Sequence, residues 1–186
     1  FDVGSAGSDE GQLNEPAGHA VDAEGNLYIA DTRNRRISVF SGLDGSPITS
    51  FRVRAWYDDR GNRPYLAVDD DRGYLYVGDP DGGRVLVYDL EGNCLGSFGQ
   101  SGTLGESLTN NQFVTVGGLD VDEVGNVYIV DSGVGRVLRF APFELPPEAV
   151  GPDGQAMGED GSVGVGVDLD VGEEPLAEGE GDDQGG

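Results

Sequence analysis

From Gly25 to Phe40 the chain reads Gly-Asn-Leu-Tyr-Ile-Ala-Asp-Thr-Arg-Asn-Arg-Arg-Ile-Ser-Val-Phe, and it writes this stretch again, altered, from Gly73 to Tyr88 and from Gly125 to Phe140. The three copies align without a gap. Gly25, Tyr28, Asp31, Arg36 and Phe40 fall on Gly73, Tyr76, Asp79, Arg84 and Tyr88, and again on Gly125, Tyr128, Asp131, Arg136 and Phe140. A repeat at this spacing governs every later inference about the fold.

Each copy holds two short runs rich in β-branched and aromatic residues around a turn-forming cluster, Leu27 to Ala30 and Arg36 to Phe40 in the first, which predicts a hairpin. A third apolar run precedes each hairpin, at Gly18 to Val21, Tyr65 to Val68 and Gly117 to Val121. It ends in an Asp before a Gly turn: Asp22 with Gly25, Asp70 with Gly73, Asp122 with Gly125. In the second copy Asp69-Asp-Asp-Arg-Gly inserts one residue and predicts a longer turn. A fourth run, Ile48 to Val53 and Cys94 to Phe98, follows the first two copies. Four antiparallel strands per unit make one blade, so the expected fold class is an all-β propeller with about three blades in an open or incomplete ring. After the third copy, prolines in Ala141-Pro-Phe-Glu-Leu-Pro-Pro-Glu argue against a fourth strand.

From Pro16 to Phe40 the pattern Pro-x-Gly-x-Ala-Val-Asp-x-x-Gly-Asn-x-Tyr-Ile-Ala-Asp-Thr-x-Asn-x-Arg-Ile-x-Val-Phe resembles the NHL repeat, and the likeness extends over about residues 13 to 140. The later copies depart from it at the turn, where Asp79-Pro-Asp-Gly-Gly and Asp131-Ser-Gly-Val-Gly lack the Asn that Asn34 supplies. Gly is expected to serve the same turn geometry there.

The chain has 186 residues, enough for one domain and a tail, but three blades are fewer than the four to eight of closed propellers. Either the chain belongs to a larger propeller or a second copy closes the ring. Phe1-Asp-Val-Gly-Ser-Ala-Gly resembles Phe98-Gly-Gln-Ser-Gly, the exit from an outer strand, which favours the first of these. The repeat region is expected over residues 1–142. Residues 143–186 are expected to form a disordered acidic tail, since from Glu144 onward there is neither aromatic nor basic residue. Within it, Val163-Gly-Val-Gly-Val-Asp-Leu-Asp-Val partly resembles the calcium-binding Gly-rich nonapeptide, but it lacks the paired glycines and stands in one copy.

Acids outnumber bases by 35 to 11, and every base is Arg. Such a surface disfavours nucleic acid as a partner, and it suits high-salt surroundings, although genomic base composition can produce the same bias. No apolar run approaches the roughly 20 residues of a spanning helix. Similarity of the Pro64-Tyr-Leu-Ala-Val-Asp and Arg84-Val-Leu-Val-Tyr segments to the C-terminal NHL regions of some large bacterial membrane proteins implies an extracytoplasmic setting.

Candidate ligand contacts gather on the loops. The link Arg52 to Arg63 holds the one Trp, Trp56, beside Tyr57, and it is expected on the propeller face that carries the turns after Asp31, Asp79 and Asp131. Trp56, Tyr57, Arg33, Arg35 and Arg60 would then converge, an aromatic pair with guanidinium groups suited to a sugar ring or a peptide. Against this stands packing of Trp56 between blades. His19 replaces an aliphatic residue of the family pattern on an inner strand and shares a face with Val21; it is either a ligand contact near the central channel or a tolerated, hydrogen-bonded substitution. The third link, 100–112, is expected to be ordinary solvated loop.

Asp31, Asp79 and Asp131 read as structural carboxylates that accept turn amides, with Arg36, Arg84 and Arg136 as their partners. The resemblance also brings in metal-dependent lyases and lactonases, but one histidine cannot supply a multi-histidine zinc site and no acidic spacing marks a calcium site. No catalytic residue, metal ligand or cofactor is expected, with calcium as the one exception to weigh. The expected function is a non-catalytic module presenting a propeller surface to a protein, peptide or glycan; the alternative is a lyase or lactonase completed by further blades.

Overall fold

In a computed structural model of the chain, residues 2–56 and 63–145 are described. Among them the strands run in order as β1 (Ser5–Ala6), β2 (Gln12–Leu13), β3 (Pro16–Val21), β4 (Leu27–Asp31), β5 (Arg36–Phe40), β6 (Pro47–Arg52), β7 (Leu66–Asp69), β8 (Tyr74–Asp79), β9 (Arg84–Asp89), β10 (Cys94–Phe98), β11 (Gln100–Ser101), β12 (Gln112–Phe113), β13 (Val116–Val121), β14 (Val127–Asp131) and β15 (Arg136–Phe140). Strands β3 to β6 form one four-stranded antiparallel sheet, β7 to β10 a second, and β13 to β15 a three-stranded third. The three written copies are three blades of a β-propeller, and the inner strand β7 lies against both β3 and β13.

Strand alternation turns each blade into a two-faced slab. Tyr28, Ala30, Ile37 and Val39 of the first blade share one apolar cluster with Leu66, Leu75, Val77, Leu86 and Tyr88 of the second. The odd and even positions of β8 and β9 then divide, so that Tyr76, Val85 and Val87 face the third blade, with Val116, Val127, Ile129 and Phe140. The middle blade is thus buried on both faces, whereas along β14 and β15 of the third the pattern alternates between buried and open.

Gly18 shows how closely the inner strands approach: a Cβ there would run into the Pro64 carbonyl of the next blade. The inner-strand turns also reach across blades. Asp70 accepts a hydrogen bond from the Ala23 amide at 2.8 Å, and Arg72 donates to the Val124 carbonyl at 3.0 Å.

Two expectations are corrected here. Asp70 is not the counterpart of Asp22, which accepts from Asn26 as Asp122 does from Asn126. The extra residue of the longer turn lies after Asp69, whose carboxylate accepts from the Arg72 amide and guanidinium and pairs in register with Tyr74. The third link is not plain solvated loop either. Its ends pair as the parallel strands β11 and β12, and Phe113 is buried against Phe140 with ring centroids 5.7 Å apart. The same construction closes the N-terminal arm, where β1 pairs with β2. At the other end, Phe143 is buried in the second cluster beside Tyr74. The expected tail from residue 146 onward, its calcium-like segment included, lies outside the described residues.

Tyr76 is fully buried, and its hydroxyl approaches the Phe143 backbone without making a hydrogen bond of good geometry. Burial pushes its pKa up to about 12. The folded state therefore favours the neutral phenol, and that contribution is fully present below the ordinary value of 10.0 and is lost as pH rises through about 12. Tyr76→Phe is expected to leave the urea midpoint at neutral pH unchanged or raise stability by up to about 1 kcal/mol, and to reduce the fall in stability between those two pH values. Urea titrations across the alkaline range measure both.

Candidate functional site

The three repeat carboxylates sit where each blade's second strand ends, and all are buried: Asp31 and Asp131 are 0% exposed and Asp79 is 1%. Asp31 accepts from the Asn14 amide at 2.6 Å, from Asn34 Nδ2 at 2.8 Å and from Arg36 Nε at 2.7 Å. Arg36 then reaches outward with its remaining nitrogens, donating to the carbonyls of Ser8, Asp9 and Gln12. Asp131 repeats the arrangement, taking the amides of Val114 and Thr115 and Arg136 Nε, while Arg136 donates to the Thr109 and Gln112 carbonyls. In the first and third blades the Asp–Arg pair therefore fastens the link that enters its own blade. In the second blade Asp79 holds the Gly82 amide and Arg84 Nε, and Arg84 is more open, at 42%.

These bonds use the carboxylate oxygens for architecture. The matching Gln12 and Gln112 complete the device: each accepts on Oε1 from the amide three residues earlier, Asp9 or Thr109. Sequence reading passed over both glutamines. Their common offset from Arg36 and Arg136 was the available signal.

Asn34 is not the residue that takes the turn's left-handed conformation. The left-handed residue is the next one, Arg35 at φ 55°, and its counterparts are Gly83 at φ 59° and Gly135 at φ 68°. Besides bridging the turn to Asp31, Asn34 ties the arm, donating from Nδ2 to the Gly7 carbonyl at 2.9 Å. Arg35 is half-buried, and its carbonyl accepts from Val53 at 2.9 Å, so the turn and the start of the next link lie side by side. Arg33 is half-buried on the same turn, with its amide bonded to the Asn14 carbonyl.

Trp56 does not join them at the surface. It is 2% exposed, packs into the cluster between the first two blades, and donates from its indole nitrogen to the Gly78 carbonyl at 3.3 Å. Of the two readings given for Trp56, packing between blades is the one observed, because the second blade offers both an apolar wall and an acceptor for the one polar atom. Tyr57 and Arg60 lie outside the described residues. His19 is exposed on the face of the first blade turned away from the second, since its neighbour Ala20 packs into the shared cluster. It lies apart from Arg33 and Arg35. Among the described residues no three of His, Cys, Asp and Glu gather as metal ligands, and no helix is long and apolar enough to cross a membrane.

Residues 13–40 match the family model of the NHL repeat. The match takes in the first three strands of the first blade. Solved structures similar to the chain include virginiamycin B lyase from Staphylococcus aureus, crystallised as an inactive variant with quinupristin, at 14% identity and a TM-score of 0.47, covering 77% of this chain and 44% of that one. Hydrazine synthase from Kuenenia stuttgartiensis aligns at 16% identity and a TM-score of 0.45, over 83% of this chain and 43% of that one. A protein of unknown function from Bacteroides thetaiotaomicron aligns at 24% identity and a TM-score of 0.48, over 62% and 30%. The chain spans less than half the length of each of these. No curated protein matches it.

Arg84 is more exposed, at 42%, than Arg36 at 17% and Arg136 at 27%, so its pair with Asp79 is better screened by solvent. Removing a carboxylate beneath a partly buried guanidinium leaves that charge and the link amides without their acceptor. Asp31→Ala and Asp131→Ala are each expected to cost about 3–5 kcal/mol, and Asp79→Ala less than either. Urea unfolding of the three variants gives the ranking.

Proposed function

We propose that this propeller module is a non-catalytic binding or scaffold element that presents its link-and-turn face to a protein, peptide or glycan, with Arg35 as a contact. The observation behind this reading is the backbone of Arg35. A non-glycine residue in the left-handed region costs about 1 kcal/mol or more, and the other two blades place glycine there. Gly135 has open space around it, so glycine serves the conformation there, whereas at Gly83 a Cβ would also run into the Ser101 backbone. A guanidinium kept at the strained position suits recognition of a carboxylate or of a sugar's hydroxyl groups. The formal charge of −24 argues against a polyanionic partner such as nucleic acid.

Arg35→Gly separates comfort from function. The substitution is expected to raise stability by about 0.5–1 kcal/mol, as relief of the left-handed strain requires, and to weaken binding to the acidic peptides or glycans retained on a defined array by at least about fivefold, the loss of one charge-assisted hydrogen bond. Unchanged binding, or stoichiometric calcium or zinc in the purified chain together with turnover of lactone substrates, would contradict the proposal.

A further inference from the structure

We propose that the acidic segment Glu173 to Asp183 of this chain docks on Arg35, Arg52 and Arg54 of the first blade and covers them until an external acidic ligand displaces it. This rests on the binding role given above to Arg35, and it names what occupies that surface in the isolated chain.

Charge is sorted between the two ends of the blades. Among the described residues every arginine except Arg72 and Arg139 stands at the end that holds the links and the turns after Asp31, Asp79 and Asp131. The turns at the other end carry Glu24, Asp70, Asp71, Glu91 and Glu123, all exposed, and Arg72 there is tied to Asp69. A formal charge of −24 therefore conceals a basic end.

At that end the arginines crowd on the first blade. Arg36 and Arg52 face each other in register across β5 and β6, where like charges repel. Arg36 has Asp31 as its counter-ion, whereas Arg35, Arg52 and Arg54 make no ion pair with a described carboxylate. Asp9, on the arm beside Arg36, offers its carbonyl and not its carboxylate. The Arg35 carbonyl accepts from the Val53 amide at 2.9 Å, so the turn lies against the backbone between Arg52 and Arg54, which are both exposed. The fold does not ask for these three guanidiniums. Counted along the paired strands, the second blade has Gly83, Gly99 and Ser101 in their places, and there too the turn glycine lies against the outgoing link.

Charge complementarity chooses the occupant. From residue 146 onward the chain has twelve acidic residues and no base, and six of the acids fall between Glu173 and Asp183. Carboxylates spaced through that segment can meet planar guanidinium forks at several points. At about 3.3 Å per extended residue the stretch 146–172 reaches on the order of 90 Å, so length does not limit the contact. The tether supplies a high local concentration, and the acidic turns at the other end repel the same segment.

Small-angle X-ray scattering of the full chain reads the docking by its sign. Raising salt from about 20 mM to about 500 mM screens the contact, and the radius of gyration is expected to rise by about a tenth or more. A chain without the contact, whose acids repel one another, contracts instead. Arg35→Gln, Arg52→Gln and Arg54→Gln combined, with circular dichroism to check the fold, are expected to abolish the rise, as are Glu173→Gln, Glu174→Gln, Glu178→Gln and Glu180→Gln combined. The second set is also expected to raise retention on the acidic array at least about threefold, by removing the tethered competitor. A radius that falls or stays constant with salt in the wild type, a rise that survives either set of substitutions, or unchanged retention overturns the docking. Retention on the array through Arg35 without a salt-driven rise overturns the docking alone; loss of both overturns the binding role of Arg35 as well.

Discussion

A carboxylate buried at the end of each blade's second strand, with a guanidinium five residues on, is the constraint on which this architecture rests. Taking such a pair out of water is costly, and mutual attraction alone does not repay it. In the first and third blades the cost is offset because each partner has further work: the Asp accepts link amides and the Arg donates to link carbonyls. The blade and the link that enters it become one unit. A strand edge that would otherwise fray is held by charge-assisted bonds.

Once the links are held, stacking of the blades follows from simple alternation. Each middle strand has two apolar faces, and both are buried where each side is covered. The middle strands of the first two blades are buried on both sides, whereas those of the third are not, and Val130 and Val137 lie exposed on its outward face. Trp56 belongs to the same logic. Its indole fills the space that the irregular second link leaves between two blades and finds the Gly78 carbonyl for its nitrogen.

The three hairpins, the inner strands and the outer strands of the first two blades were legible because period-two alternation and Gly turns are local signals. The propeller followed from repetition. What could not be read locally was which side chains another blade would cover. Trp56 stands in a polar stretch and looks like an exposed anchor until the Gly78 carbonyl is placed beside it. Asp69 and Asp70 are identical in type, and strand register alone separates the turn carboxylate from the cross-blade acceptor. The links looked solvated because their composition is polar, yet Gln12 and Gln112 show that polar residues are what fasten them. Arg35 was a candidate by its place on the loop, but its left-handed backbone emerged only with the structure, where Gly83 and Gly135 hold the same position.

Amide hydrogen exchange reads this fastening directly. The amides of Asn14, Val114 and Thr115 donate to buried carboxylates and to no strand partner, so at neutral pH they should exchange as slowly as the strand amides of the blades they enter. Exchange of all three at the rate of an open loop, with the strands still protected, would mean that the Asp–Arg pairs do not hold the links.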